Sequence, residues 1–250
     1  MNLDVSNNIA LTDLLIRSNQ LTTLDVANNS LLQLLRVQSN SIDVLDVSNN
    51  PLLTFLECGS NQLDVLDVAN NIALEFLDCS NNNLMNLDVS TNIVLDKLLC
   101  FNNVIEDLTL PNSTSLTDVH CRDNLLTTID VSNQASLIYL EVGNNNLDEI
   151  DVTNNSNLKE LACYNNNLIE LNVVGNVNLE ELSCSNNNMD ALNVSNNLNL
   201  IELRCGENMI SNLDVSGNAA LTLLICNLNT LTSLNVANSN NVNMTNVFVY

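Results

Sequence analysis

His120 is the only histidine of the 250-residue chain, and Cys121 follows it directly, so this pair has the side chains of a cysteine–histidine nucleophile. Both residues lie where apolar and polar residues alternate, as in a β-strand, and neighbouring strand residues face opposite sides. The histidine is therefore expected to face outward and the thiol inward, which prevents a dyad. The glycines form no phosphate-binding loop, and carboxylate pairs recur along the chain instead of forming one distinctive pair. We predict that the chain is not an enzyme, with no catalytic residue, metal site or cofactor.

The eight cysteines share one position of a repeated segment, which Ile16, Val37 and Val142 occupy in other copies. Free cysteine behaves as a small buried hydrophobe, and its exchange with isoleucine and valine favours that role. A disulfide needs a specific dihedral that thiols stacked in register do not offer, and no Cys-x-x-Cys spacing indicates zinc. Disulfide bonds and a metal remain the alternatives to the predicted ladder of buried thiols. The cysteines are Cys58, Cys79, Cys100, Cys121, Cys163, Cys184, Cys205 and Cys226.

The repeated segment has two forms that alternate from Leu3 to about Val236 with a period of 21 residues, split as ten plus eleven. One form, LTFLECGSNQ at 53–62, is called the LxxLxC half; the other, LDVLDVANNIA at 63–73, is called the LDV half. The spacing predicts a short strand in each half, with positions four and six inward and positions three, five and seven outward. One half cannot bury its apolar edge alone, so neighbouring coils must stack into a continuous core.

The asparagine at position nine of the LxxLxC half recurs in every copy. Such a residue satisfies bent backbone and tolerates a left-handed conformation, so Asn61 is expected to turn the chain. Stacked, these amides can pair with the backbone of their own and the next coil. The ladder comprises Asn19, Asn40, Asn61, Asn82, Asn103, Asn124, Asn145, Asn166, Asn187, Asn208 and Asn229.

These repeats resemble those of bacterial leucine-rich-repeat proteins with nested ten-plus-eleven repeats, similar to internalin J-like surface proteins. The expected fold is a leucine-rich-repeat solenoid, mainly β, with two short parallel strands per coil in two stacked parallel sheets and little or no helix. A single domain over residues 1–250, of roughly twelve coils, is predicted. The resemblance further implies a ligand-binding habit, a concave face lined by the LxxLxC strands, and an extracellular or cell-surface location.

Both ends of the chain interrupt a repeat and lack the polar capping units that solenoids need for solubility, and Met1 begins no signal peptide. The expectation is therefore a fragment, or open ends that meet another molecule, including end-to-end self-association.

The net charge of −23 makes phosphate backbones and anionic membranes unfavourable partners. No apolar run approaches the ~18 residues that a membrane span requires. Neither nucleic acid nor membrane insertion is predicted.

Position five of the LDV half is usually aspartate, as in Asp67, and elsewhere Asn or Thr, as in Asn172 and Thr109. A file of carboxylates could collect calcium, but the exchange with Asn and Thr favours a short hydrogen-bond acceptor. An acidic cation-binding array, and more remotely an ice-contacting one, remain alternatives for this face.

All seven aromatic and all six basic residues fall in LxxLxC halves, almost all at outward positions. Aromatic residues and arginine are enriched in protein interfaces, although aromatics also favour strands for their own sake. We predict a non-catalytic recognition or adhesion module that binds a polypeptide, or a glycan stacked on tyrosine, on this face; a passive spacer is the alternative. The predicted ligand-binding residues are Phe76, Lys97, Phe101, His120, Arg122, Tyr139, Tyr164, Glu160, Glu181 and Glu202.

Overall fold

The computed structural model describes residues 3–238, 244 and 246–249. The chain divides into two compact units, an N-terminal unit (Met1–Leu126) and a C-terminal unit (Thr127–Tyr250). Tyr250 and the two-residue extension of the last repeat, within 239–243, lie outside the described residues. The single domain over 1–250 stays a prediction.

In the N-terminal unit, one three-residue strand forms in each LxxLxC half, and these strands pair in parallel. Each residue pairs with its equivalent one repeat later, as Phe55 does with Phe76 and Phe76 with Lys97. The paired strands, in sheet order, are β1 (Asp13–Leu15), β2 (Leu34–Arg36), β3 (Phe55–Glu57), β4 (Phe76–Asp78), β6 (Lys97–Leu99) and β8 (Asp118–His120). A second parallel pair comes from LDV halves and consists of β5 (Asn86–Asp88) and β7 (Asp107–Thr109).

The C-terminal unit repeats this arrangement. Its LxxLxC strands, in sheet order, are β9 (Tyr139–Glu141), β10 (Glu160–Ala162), β11 (Glu181–Ser183), β12 (Glu202–Arg204), β14 (Leu223–Ile225) and β16 (Asn246–Phe248). Its LDV pair consists of β13 (Asn212–Asp214) and β15 (Ser233–Asn235). The remaining LDV halves keep the same alternation of buried and exposed residues without ladder pairing, and the described residues include no helix. The predicted fold class, a parallel β-solenoid, is confirmed. The prediction of a strand in every LDV half is wrong, because among the described residues these strands form only in the four halves that carry β5, β7, β13 and β15.

The core of each coil follows the predicted alternation. Leu53, Leu56 and Cys58 of one LxxLxC half are each 0% exposed, and so are Leu63 and Val68 of the following LDV half. A fully buried leucine contributes about 1.5–3 kcal/mol relative to an exposed one. Because each coil supplies the same positions, burial repeats from coil to coil, as stacked repeats require.

The cysteine ladder is confirmed, because all eight cysteines are buried free thiols. Val37 and Val142, which take the same position, are likewise 0% exposed. Burial raises the pKa of the Cys163 thiol to about 12, because the thiolate loses its hydration. It also raises the pKa of the thiols of Cys58, Cys79, Cys100, Cys184, Cys205 and Cys226. At neutral pH the ladder is therefore uncharged and serves as apolar packing.

The asparagine ladder of the LxxLxC turns is also confirmed. The side-chain amide of Asn82 donates to the carbonyls of Cys58 (3.2 Å) and Cys79 (3.0 Å), and its Oδ1 accepts from the Leu63 N–H (3.0 Å). One side chain thus satisfies backbone groups of two coils, and the same pattern recurs along the ladder.

Asn61 was expected to turn the chain, but it is not the left-handed residue of this turn. The left-handed residue is the one before it, as in Ser60 (φ 55°) ahead of Asn61. The asparagine is instead held by its three hydrogen bonds, and its predecessor absorbs the turn. That residue is a serine, asparagine or aspartate in most coils, but in one it is Leu228 (φ 53°).

A second asparagine ladder, which the sequence analysis did not identify, lies at position nine of the LDV halves. The amide of Asn71 donates to the carbonyls of Val47 (3.0 Å) and Asn50 (2.9 Å) of the preceding coil. Its Oδ1 has no hydrogen-bond partner, and the same holds for the other asparagines of this ladder. The ladder comprises Asn29, Asn50, Asn71 and Asn92 in the N-terminal unit and Asn155, Asn176, Asn197 and Asn218 in the C-terminal unit, and it is continued by Asn238 at position eight of the last LDV half.

Candidate recognition face

The outward positions of the LxxLxC halves form a surface called here the LxxLxC face. In the N-terminal unit the predicted residues on it are half-buried, apart from the exposed Lys97. Phe76 and Lys97 are directly paired on neighbouring strands, and His120 ends β8. Phe101 and Arg122 lie at position seven, just beyond the strands. The predicted residues of this unit therefore share one surface, as their register requires.

Three residues of this face form a continuous stack. The rings of Phe55 and Phe76 are parallel, with centroids 4.3 Å apart and planes at 3°. The Arg36 guanidinium lies 4.8 Å from the Phe55 centroid, and its Nε is 3.3 Å from Glu57 Oε2. Such cation–π and ring contacts each contribute about 0.5–1.5 kcal/mol.

Arg36 and Phe55 were absent from the predicted ligand-binding set. The sequence could have indicated both residues, because parallel in-register strands place residues that are 21 apart in sequence next to each other.

A second cation–π contact lies at the edge of the same face. The Arg122 guanidinium is 4.6 Å from the centroid of Phe101, one coil earlier, and it also pairs with the carboxylate of Asp123. Between the two clusters, Lys97 Nζ lies 3.4 Å from Asp118 Oδ2. The basic side chains in these contacts are thus held in place by neighbours on the face.

His120 and Cys121 lie on opposite sides of their strand, as expected. His120 is half-buried on the LxxLxC face, whereas Cys121 is 0% exposed in the core. The structure does not bring the two side chains together as a nucleophile and its base.

In the C-terminal unit, the face carries a row of predicted residues on neighbouring strands. The register pairs Tyr139 with Glu160, Glu160 with Glu181, and Glu181 with Glu202. Arg204 Nη2 lies 2.6 Å from Glu202 Oε2, at one end of the row. The three glutamates of the predicted ligand-binding set are therefore neighbours on adjacent strands.

Tyr164 lies beside this row, and its ring reaches back over Gly143 of the preceding coil. A Cβ added to Gly143 would come within 2.6 Å of Tyr164 Cζ, so a larger residue there would displace the ring. Gly143 thus provides the space in which Tyr164 packs, a role that could not be predicted from the repeat pattern.

The outward positions of the LDV halves form a second surface, called here the LDV face. It differs from the LxxLxC face because its aspartates at position five accept hydrogen bonds from the backbone of their own turns. Asp67 Oδ1 accepts from the Ala69 N–H (2.9 Å), and at the same position Asn193 Oδ1 accepts from the Ser195 N–H (3.0 Å). The hydroxyl and N–H of Thr153 lower the pKa of Asp151, since both stabilise the carboxylate. These contacts support the interpretation of position five as a hydrogen-bond acceptor.

Shallow grooves line this face in both units. One groove of about 470 Å³ contains Val44 and Val65, with Asp43 and Asp64 beside them. Another, of about 490 Å³, lies along Asp130 and Asp151. Among the described residues, no group of three or more His, Cys, Asp or Glu side chains is arranged to hold a metal ion.

No protein-family profile matches the chain, and no curated protein sequence matches it. Among solved structures, it is similar to the functional domain of InlJ from Listeria monocytogenes, which includes a cysteine ladder. The identity is 36% and the TM-score 0.80, over 92% of this chain and 56% of that one. The chain is a leucine-rich-repeat solenoid.

Two further leucine-rich-repeat structures share the fold. A protein of Leptospira interrogans is 24% identical with a TM-score of 0.87, over 98% of this chain and 68% of that one. An internalin, InlF, from Listeria monocytogenes is 21% identical with a TM-score of 0.85, over 98% of this chain and 82% of that one. These neighbours are bacterial leucine-rich-repeat proteins that share the solenoid fold with this chain. The chain spans little more than half of the InlJ structure.

Within the described residues, no helix is long and apolar enough to cross a membrane.

Proposed function

We propose that the chain is a non-catalytic recognition module that binds a polypeptide ligand on the LxxLxC face. A cell-surface or secreted location, with a role in adhesion, forms part of the proposal and rests on the resemblance to internalins. The observation that carries it is the segregation of residue types. Every aromatic and basic residue belongs to an LxxLxC half, although both halves offer equivalent outward strand positions. Strand propensity alone would distribute aromatics over both.

The contacts within the face also support the proposal. Phe55 and Phe76 stack on each other, and arginines lie over Phe55 and Phe101. Side chains already ordered by their neighbours lose less conformational entropy when a partner binds. Half-buried aromatic residues and arginine are also the residue types that most often dominate binding energy in protein interfaces.

A glycan ligand remains the alternative on the same face. Sugar rings stack on the open faces of aromatic side chains, and the faces that Phe55 and Phe76 turn toward each other are already covered. Tyr139 and Tyr164 are the better platforms for a sugar. Replacing them with serine should abolish glycan binding if that alternative is correct, while a polypeptide held mainly by the phenylalanine stack would be weakened less.

The test is a binding screen against surface proteins, peptides and glycans with two matched variants. Phe55→Ser/Phe76→Ser removes the stack from position three of two neighbouring LxxLxC halves. Val44→Ser/Val65→Ser changes position three of two neighbouring LDV halves, where the valines are 70% and 74% exposed.

We expect binding to be lost in the phenylalanine variant and kept in the valine variant, with both folded by circular dichroism. Equal binding by both variants, or no binding by the wild type, would favour a passive spacer. Loss in the valine variant alone would move the site to the LDV face.

A further inference from the structure

A third groove on the LDV face lies in the C-terminal unit, where β13 and β15 pair. Its volume of about 690 Å³ exceeds those of the two grooves described above and falls within the range of small-ligand sites. Leu192 and Leu213 line it from the core and are 7% and 2% exposed, so neither projects an open apolar surface into the groove. The polar side chains around it include those of Asn193, Ser195, Asn212, Asp214, Ser233 and Asn235.

This groove carries much less charge than the groove along Asp130 and Asp151 in the same unit. In the three LDV halves within 126–178, four of the six residues at positions three and five are carboxylates. In the three LDV halves within 189–238, one of the six is a carboxylate, Asp214. On a chain with a net charge of −23, the groove is therefore a nearly neutral site, where an uncharged polar ligand meets little competition from cations.

The turns give no reason for the asparagines at position five. Asn193 Oδ1 accepts from the Ser195 N–H (3.0 Å) and Asn235 Oδ1 from the Ala237 N–H (3.2 Å), a contact that aspartate makes in most other coils. What asparagine adds is an Nδ2 donor in place of a second carboxylate oxygen. In the part of the chain that the structure describes, Asn193 Nδ2 has no hydrogen-bond partner, so it is free to donate to a ligand.

The rest of the lining supplies both donors and acceptors. Asn212 and Ser233 are paired on neighbouring strands, about 4.8 Å apart. The Asn212 amide donates to Ser211 Oγ (3.0 Å), which leaves its Oδ1 as an acceptor, and the Ser233 hydroxyl can do both. The one carboxylate is already held, because the hydroxyl and N–H of Ser216 lower the pKa of Asp214 by stabilising its ionised form.

Neighbouring donors and acceptors with little charge match a neutral saccharide, because each sugar hydroxyl both donates and accepts a hydrogen bond. A peptide would bring apolar side chains, for which the groove has no open apolar pocket. A phosphate or carboxylate ligand would meet Asp214 and find no counter-charge, since the basic residues of this unit, Lys159 and Arg204, belong to LxxLxC halves.

We infer that this groove binds a neutral oligosaccharide. The site is separate from the LxxLxC face, and it does not depend on the proposed function. Its lining, all of it within the described residues, includes no aromatic ring on which a sugar could stack. Hydrogen bonds must therefore supply the affinity, and a single oligosaccharide should bind with a Kd of about 1 mM.

The experiment uses the full chain, isotope-labelled for NMR, and follows its backbone amide signals during titration. The probes are maltotriose, cellotriose, mannotriose and chitotriose, and the control is the neutral peptide Gly-Ser-Gly-Ser-Gly. We expect at least one oligosaccharide to shift the signals of Asn193, Asn212 and Ser233 saturably, and the peptide to leave them unchanged.

The inference is overturned if the peptide shifts these signals equally or if none of the four oligosaccharides shifts them. Shifts confined to Tyr139 and Tyr164 would also overturn it, and they would support the glycan alternative on the LxxLxC face instead. Polypeptide binding is decided separately, by the phenylalanine and valine variants of the binding screen.

Two matched double variants separate the amide donors from net charge, with folding checked by circular dichroism. Asn193→Asp/Asn235→Asp keeps the acceptor of each turn but replaces two amide donors by carboxylate oxygens, and should weaken oligosaccharide binding about tenfold. Asn86→Asp/Thr109→Asp adds the same charge to the strand pair β5 and β7 of the N-terminal unit, and should change affinity less than about twofold. Equal losses would overturn the inference, because binding would then follow net charge.

A single substitution tests the groove without changing charge. Asn212→Ala removes the carboxamide at position three of β13 and should weaken oligosaccharide binding about two- to fivefold. Asn86→Ala, at the same position of β5, is the control and should leave affinity unchanged. Equal affinity of the Asn212→Ala variant and the wild type would contradict the inference.

Discussion

In most coils the two halves bury the same positions and carry an asparagine at position nine, yet they secure their turns differently. In the LDV half, the residue at position five accepts a hydrogen bond from the turn, as Asp67 does from Ala69. In the LxxLxC half, Asp78 makes the same contact with Ser80, but Leu99 and Ala162 at that position have no side-chain acceptor, and the turn still forms.

This difference explains why one face is uniform and the other variable. The side chain at position five of the LDV half accepts a hydrogen bond from its turn, so this position is restricted to short hydrogen-bond acceptors. The LxxLxC turn is held by its buried asparagine, which leaves position five free to vary. Variable outward residues on a rigid scaffold are what a recognition surface requires.

The largest expected effect removes core packing. Leu140→Ala leaves a cavity at a position that is 1% exposed, and should lower the free energy of unfolding by about 2–5 kcal/mol. Leu171 takes the same position in an LDV half and is 8% exposed. Leu171→Ala should therefore lower the free energy of unfolding by an amount at the low end of that range, because the site is already partly open to solvent. Urea denaturation measures both. A loss below about 0.5 kcal/mol for Leu140→Ala would contradict its inward assignment.

The two asparagine ladders should differ in their contribution to stability. Asn82→Ala leaves the Leu63 N–H without its acceptor and should cost about 2–3 kcal/mol. Asn71→Ala should cost about 1 kcal/mol, because it also removes a buried oxygen that has no partner.

The carbonyls that Asn71 contacts also keep backbone donors, from Asn50 to Val47 (3.0 Å) and from Leu53 to Asn50 (3.1 Å). Urea denaturation of the two alanine variants measures how much each ladder contributes to the free energy of unfolding. The reverse order would show that the LDV ladder is the stronger one.

The LxxLxC turn can be improved where its left-handed residue is unsuitable. Leu228 has φ 53°, a conformation that asparagine adopts at lower cost than leucine. Leu228→Asn should therefore raise the free energy of unfolding by about 0.5–1 kcal/mol. Leu198→Asn, at an exposed leucine of an LDV turn, is the control and should remain within about 0.5 kcal/mol of the wild type. Thermal melts that rank the control above Leu228→Asn would count against this account of the turn.

The smallest expected effect is a pH dependence confined to the LDV turns. Hydrogen bonds from Thr153 lower the folded-state pKa of Asp151 below its unfolded value. The stabilisation is therefore present above about pH 4 and lost as pH falls through the folded pKa. The stability advantage of the wild type over Asp151→Asn should shrink in acid.

Asp148→Asn is the matched control, because it removes one charge from an exposed residue of the same coil. Subtracting its pH dependence corrects for the general effect of net charge. Urea midpoints across the acid range provide the measurement, and a corrected difference that stays constant with pH would contradict the turn contact of Asp151.

The alternation of buried and exposed residues could be predicted, because a constant 21-residue period allows only one way of stacking the coils that buries the same positions in each. The roles of the position-nine asparagines could not, since Asn61 and Asn71 occupy equivalent places in sequence. Which carbonyls each amide reaches depends on the path of the neighbouring coil. The left-handed position carried no glycine signal, because residues as different as Ser60 and Leu228 occupy it.

On the LxxLxC face, the contact between Phe55 and Phe76 could be predicted, because residues 21 apart are paired on neighbouring parallel strands. The seating of Tyr164 over Gly143 depends on side-chain direction, which spacing alone does not give.

The central claim is that ligands contact the LxxLxC face. The most direct measurement is photo-crosslinking with benzoylphenylalanine placed at Phe76 in one variant and at Val65 in another, each in the presence of a polypeptide found in the binding screen. Both positions are position three of their halves, one coil half apart. The account predicts a crosslinked product from position 76 and none from position 65. Crosslinking from position 65 alone would place the ligand on the LDV face and contradict it.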